Sequence, residues 1–228
     1  MTRPPFDLAA VERATLAGMR DGHRLFQTHR YAADDMAQVR LLLDVLAPPR
    51  NATILDAGCG IGEVSRLMAE LRPDLFFVMS NISPQQLALC PAGARFAPVL
   101  DDCHAMCFDD GVFDAVMFSS ALCQMDTSVA LREARRVVKA GGALLVNDMV
   151  RDSDDGGLME AALAARVLRP DALRAMIAAA GFDIERFETP PFDDTQFRDM
   201  LVRDGLERVL DGISAVIVRA VPRLRCEE

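Results

Sequence analysis

Thr53-Ile54-Leu55-Asp56-Ala57-Gly58-Cys59-Gly60-Ile61-Gly62-Glu63-Val64 is the stretch around which this chain is built. Its first residues form a short apolar run, the pattern of a central parallel strand covered on both faces. Gly58, Gly60 and Gly62 follow at alternate positions. Glycine permits positive φ and lets a ligand lie directly against the backbone. Apolar spacing through Val64, Leu67, Met68 and Leu71 then predicts a helix that begins near Gly62. Its first N–H groups face whatever the turn holds. A dinucleotide pyrophosphate is one ligand for such a turn. The spacing speaks against it, because the third glycine comes early. Asp56 also sets a carboxylate at the strand end, which suits a cationic or hydroxylated ligand better than a pyrophosphate.

The rest of the composition fits one α/β domain with a small appendage. The chain has 228 residues, and 51% of them are hydrophobic, enough for a sizeable core. A net charge of -9 without a basic stripe argues against a nucleic-acid partner. No apolar run reaches membrane-spanning length, and no signal-peptide core follows Met1-Thr2-Arg3-Pro4-Pro5. The expectation is a cytoplasmic protein with no membrane partner. Six cysteines are scattered without paired spacing, which predicts reduced thiols. Cys103-His104-x-x-Cys107 lacks the further ligands that a zinc site requires, so no metal centre is expected from the chain itself.

Upstream of the central stretch, Leu8, Val11, Ala14, Leu16 and Met19 recur at helical spacing from Phe6 to Arg20, with Asp7 as a cap. The segment Asp21 to Tyr31 follows. It gathers His23, Arg24, His29, Arg30 and the only tyrosine. A solvated polar loop and a substrate lid are both consistent with it. Asp34 or Asp35 caps a second helix, Met36 to Leu46, which buries Val39, Leu42, Leu43 and Leu46 and ends before Pro48-Pro49. Residues 1–47 are thus expected to form a helical lid or substrate cap, and residues 48–228 the main domain.

Downstream, strands are predicted at Leu75–Ser80, Ala94–Leu100, Val112–Phe118 and Ala143–Asn147. Ser83 is a plausible N-cap with Pro84 at the first helical position. Asn81 stands where a Rossmann-type unit puts an acid for ribose hydroxyls, which argues against NAD. Its amide can still hydrogen-bond a hydroxyl in either sense. A helix is predicted over Val129–Val138, ended by Lys139-Ala140-Gly141-Gly142. Further helices are predicted at Leu158–Val167, from Pro170 to Ala180-Gly181, and at Asp194–Leu210. Strands Phe182–Glu188 and Ile213–Val221 complete the sheet.

Leu55-Asp56-Ala57-Gly58-Cys59-Gly60-Ile61-Gly62 resembles motif I of the class I S-adenosylmethionine (SAM) methyltransferases, LDxGCGxG. Leu131 to Gly142 resembles the signature that follows the fourth strand of that family. The resemblance covers roughly Ala52 to Met149. It implies a Rossmann-like, doubly wound, seven-stranded α/β sheet of order 3-2-1-4-5-7-6 whose last strand is antiparallel. It also implies SAM as cofactor, held by Gln38, Asp56, Gly58, Cys59, Gly60, Asn81, Ile82, Gln86, Asp102, Cys103 and Ser119, with Asp102 accepting from the adenine amine. A non-acidic residue at the Asn81 position is similar to a subset of small-molecule methyltransferases.

Leu25 to Tyr31, Met36 to Asp44, and Asn81-Ile82-Ser83 with Gln86 look like the isoprenyl diphosphate C-methyltransferases. That likeness implies C-methylation of a short-chain prenyl diphosphate in secondary or terpene metabolism. His29 and Tyr31 would be catalytic. The diphosphate would be held by His23, Arg24, His29, Arg30 and Tyr31, with magnesium bridging its charge, and Phe118 and Leu122 would form the apolar wall. A homodimer is the expected assembly. The aromatic content is only 6%, with no Trp, and no histidine follows Phe118. O- or N-methylation of a secondary metabolite, and a SAM-binding partner protein without catalysis, therefore stay open.

Overall fold

The computed structural model describes residues 31–152, 165–190 and 212–223, together with position 9. The helix expected over Phe6–Arg20, the residues His23, Arg24, His29 and Arg30, and the helix expected over Asp194–Leu210 lie outside the described residues. So do residues 158–164 of the helix expected over Leu158–Val167, while Ala165–Val167 are not helical.

Strands β1 (Thr53–Ala57), β2 (Phe76–Asn81), β3 (Phe96–Leu100), β4 (Phe113–Ser119), β5 (Val138–Arg151), β6 (Phe182–Glu188) and β7 (Ile213–Pro222) form one sheet. Its order is β3-β2-β1-β4-β5-β7-β6. Strands β1 to β5 pair in parallel, and β7 runs antiparallel to both β5 and β6. This is the order and the antiparallel strand that the motif implied. At β1 the strand order turns back on itself between β2 and β4, and loops from both sides meet there. Ligands of open α/β sheets bind at such switch points, outside the carboxyl ends of the strands.

Period-two alternation splits the apolar side chains into two cores. On one face Leu55, Val116, Phe118, Leu144, Val146 and Val218 pack with helix α4 (Thr127–Val137) and helix α5 (Pro170–Ala179). On the other, Ile54, Met117, Leu145 and Ile217 pack with helix α1 (Asp35–Leu46) and helix α2 (Glu63–Leu71). A one-turn helix, α3 (Pro84–Leu87), follows β2, with Ser83 as its N-cap and Pro84 in its first turn.

Helix α1 starts where Asp34 accepts the Ala37 N–H at 2.7 Å and stops where Ala47 turns left-handed before Pro48. Val39, Leu42, Val45 and Leu46 are buried in the same core as Ile54 and Phe77. No break in packing marks the expected boundary between residues 47 and 48.

The segment Lys139–Gly142 was expected to end a helix. It lies instead within β5, where the pairing with β4 jumps between Phe113↔Val138 and Ala115↔Ala143. The extra residues bulge outward there. Gly142 is needed in that bulge, because a Cβ on it would meet Asp114 O at 2.7 Å. Among the described residues no helix is long and apolar enough to cross a membrane.

Candidate active site

The turn between β1 and α2 is tied to its neighbour strand. Gly58 N–H and Cys59 N–H both donate to Ser80 O, at 2.9 and 3.0 Å. Gly58, Gly60 and Gly62 have φ of 75°, 57° and 73°, the region that side chains rarely adopt. They do different work. A Cβ on Gly58 would meet Ala121 Cβ at 2.7 Å, and one on Gly62 would meet Met79 Sδ at 2.7 Å. A Cβ on Gly60 would meet nothing within 4 Å. The turn is therefore clamped at both ends and open at its middle.

Asp56 does not reach that opening. It is 1% exposed, and Ser65 Oγ donates to its Oδ2 at 2.6 Å. The motif reading placed this carboxylate against the ligand; the structure places it beneath the turn, holding α2 to β1. Burial pushes its pKa from the ordinary 3.8 up to about 7, against the Ser65 bond, which lowers it. The folded state therefore keeps a proton that the unfolded chain has already lost. The contribution of Asp56 to stability is then greatest below pH 3.8, declines as the pH rises towards about 7, and levels off above. Thermal unfolding of Asp56→Asn should lack that decline. Parallel pH profiles for the variant and the wild type would contradict the assignment.

Cys59 and Cys90 lie with their sulfurs 4.0 Å apart, and both thiols donate to Gly60 O. The Cys90 contact and burial raise the Cys59 pKa, so Cys59 stays a thiol. Asn81 Nδ2 donates to Gly60 O at 3.2 Å and to Gln86 Oε1 at 2.7 Å, and its Oδ1 accepts the Ser83 N–H at 3.1 Å. Asn81 and Gln86 thus fasten the end of β2 and α3 to the glycine turn. Both are largely buried, whereas Ile82 beside them is 37% exposed.

After β3, Asp102 Oδ1 accepts the His104 N–H at 2.9 Å and contacts His104 Nδ1 at 2.7 Å. Asp101 turns inward. Its Oδ1 accepts the Cys107 N–H at 3.0 Å, and its buried Oδ2 has no hydrogen-bond partner among the described residues. Cys103 is a core thiol, 3.8 Å from Ser80 Oγ, pushed by burial up to about 12.

At the ends of β4 and β5, a second polar group forms across long sequence distances. Tyr31 OH donates to Asn147 Oδ1 at 2.7 Å, and Asn147 Nδ2 donates to Ser119 Oγ at 2.9 Å. Gln38 is 2% exposed, and its Oε1 accepts the Tyr31 N–H at 3.2 Å. It therefore anchors the chain entering α1 and does not stand open towards a cofactor. Burial raises the Tyr31 pKa well above the usual phenol range, so the hydroxyl acts as a neutral donor and not as an anionic base. Asn147 was missed from sequence; its only signal is a polar residue closing the apolar run Ala143 to Val146.

Phe118 and Leu122 were expected to wall the acceptor. Both are sealed in the core with Val116, Leu131 and Val146. Strand alternation turns Phe118 towards α4, away from the open edge.

A family of methyltransferase domains matches residues 55–146. The 2-methyl-6-phytyl-1,4-hydroquinone methyltransferase of Synechocystis sp. is 40% identical over 119 residues, covering 49% of this chain and 36% of that protein. The chain spans less than half the length of the first curated relatives it matches. Among solved structures, the 4+2 cyclase SpnF superposes with a TM-score of 0.78 at 20% identity, covering 93% of each chain. The geranyl diphosphate C-methyltransferase of Streptomyces coelicolor A3(2), solved with magnesium, geranyl diphosphate and S-adenosyl-L-homocysteine, gives 0.71 at 15% identity, covering 82% of this chain and 78% of its own. At these identities the structural likenesses establish the fold alone. Glycine motif, sheet order and family match agree: residues 55–146 match a methyltransferase domain, and they lie within the seven-stranded fold that the geranyl diphosphate C-methyltransferase of Streptomyces coelicolor A3(2) also has.

Proposed function

We propose that this protein transfers a methyl group from SAM to a carbon atom of a small isoprenoid acceptor, and that a short-chain isoprenyl diphosphate is that acceptor. The observation that carries the methyl-transfer reading is the glycine turn, closed by contacts at Gly58 and Gly62 and open at Gly60. Backbone without a side chain borders that opening, exposed apolar surface at Ile82 flanks it, and Asp102 supplies a carboxylate beyond. These groups fit a nucleoside with a cationic amino-acid tail. When bound, SAM supplies an electrophilic methyl group on a sulfonium.

The chain's own residues have three tasks. Gly58–Gly62 and Ile82 bind and orient the cofactor. Tyr31, Asn147 and Ser119 form a fixed polar group at the ends of β4 and β5, where the acceptor would meet the methyl. Tyr31 keeps its proton and donates. His29, two residues upstream, is the base we assign to the proton released after carbon methylation. His23, Arg24 and Arg30 would hold the diphosphate, since arginine forks match its oxygens. Magnesium would accompany it on the phosphate oxygens. Among the described residues no group of three or more His, Cys, Asp or Glu could hold a metal ion.

A second reading is methylation of a prenylated hydroquinone ring, favoured by the 40% identity to the Synechocystis protein.

The test is methyl transfer from labelled SAM to prenyl diphosphates, the corresponding free alcohols and prenylated hydroquinones, with and without magnesium. Label in a five- to fifteen-carbon diphosphate, and little in the alcohol, is expected. Equal labelling of alcohol and diphosphate would contradict the diphosphate assignment, and labelling of the hydroquinone alone would establish the second reading. Tyr31→Phe should slow transfer by roughly tenfold, the effect of about one hydrogen bond at the reacting group, while S-adenosylhomocysteine (SAH) affinity changes little. An unchanged rate would remove Tyr31 from the reaction.

A further inference from the structure

Two loops at the carboxyl edge of the sheet are joined through one imidazole. On one side of the His104 ring, Nδ1 lies 2.7 Å from Asp102 Oδ1. On the other side, Nε2 lies 2.9 Å from the Asp126 backbone nitrogen. A backbone amide only donates, so Nε2 accepts. In a neutral ring the proton then sits on Nδ1 and is donated to Asp102. A single tautomer satisfies both bonds.

The Asp126 end is rigid. Asp126 is the N-cap of α4, with Oδ1 accepting from the Ser128 and Val129 N–H groups. Met125, the residue before it, packs against the glycine turn, since a Cβ on Gly58 would meet Met125 Cε at 2.8 Å. His104 therefore ties the loop after β3 to a helix start that itself rests on the cofactor turn.

The Asp102 end is half used. Among the described residues both bonds to its side chain, from the His104 N–H and from Nδ1, fall on Oδ1. Oδ2 is the oxygen left for an outside donor. Leu100, at the end of β3, is 63% exposed and pairs in register with Asn81, next to the exposed Ile82. Apolar surface beside a half-used carboxylate suits a flat heteroaromatic ring with an exocyclic amine.

We propose that His104 is a specificity-determining positioning residue, which aims Asp102 Oδ2 at the amine of an aminopurine and so makes the site prefer an adenosyl to an inosyl ligand. This rests on the SAM reading above. An exposed pair such as Asp102–His104 contributes little to stability by itself, so its effect should appear in ligand choice.

The experiment is calorimetry of the full chain with SAH and with its inosyl analogue, which carries a carbonyl in place of the amine. In His104→Ala the SAH dissociation constant should rise about fivefold to tenfold, the scale of one hydrogen bond, while that of the inosyl analogue stays within about twofold. In an Asp102→Ala background the His104 substitution should add nothing, because the two act as one unit. Equal weakening of both ligands, unchanged SAH affinity, or additive losses in the double variant would each overturn the proposal. Failure of the wild-type protein to bind SAH at all would instead overturn the SAM reading, and this inference with it.

Discussion

Gly60→Val should weaken SAH binding severely and leave a folded protein. Gly60 has φ of 57° and open space around the position of a Cβ. A Cβ there meets nothing within 4 Å, so the main cost to folding is the left-handed backbone, about 1–2 kcal/mol. Its methyl groups would occupy the opening assigned to the cofactor. A loss on the order of a hundredfold in affinity, about 2.7 kcal/mol, is expected by calorimetry, with circular dichroism close to that of the wild type. Gly58→Val provides the contrast. It adds the same side chain where Ala121 Cβ and Met125 Cε stand 2.7 and 2.8 Å from the new Cβ. That variant should lose far more thermal stability. A folded Gly60→Val protein with wild-type affinity would remove the turn from the binding site.

Phe118→Ala should cost stability and spare acceptor recognition. The ring is fully buried among Val116, Leu131 and Val146. Truncation of such a ring costs about 3–5 kcal/mol, from lost burial and the cavity left behind. Chemical denaturation should show that loss, while the KM for an acceptor, measured below the lowered melting temperature, stays near the wild-type value. A stable variant with a raised KM would return Phe118 to the acceptor wall.

Phe118 marks the boundary of what the sequence discloses. Its place at the end of an apolar strand was legible, because period-two patterning and turn glycines locate strands. Which face it serves was not, because β4 is apolar on both faces and its residues read alike. The sheet order was legible through motif I and the run Leu131–Gly142, both local features. Asp56 was found at the right position, yet its depth depends on Ser65, nine residues on and across a turn. The resemblance gave Gln38 to the cofactor, and only the fold shows its amide oxygen taken up by the Tyr31 N–H. The Tyr31–Asn147 bond joins residues 116 positions apart, a pairing that no local pattern carries. The glycines of Lys139–Gly142 read as a helix stop because glycine serves helix ends and strand bulges alike.

A crystal structure of the protein with SAH tests most directly whether SAM binds over the open glycine turn at the carboxyl edge of β1, β2 and β3. The amino-acid tail of SAH is expected over Gly60, the adenine beside Ile82, and the adenine amine within hydrogen-bond distance of Asp102. SAH bound elsewhere on the chain, or crystals that exclude it at saturating concentration while the turn keeps its present shape, would contradict that placement.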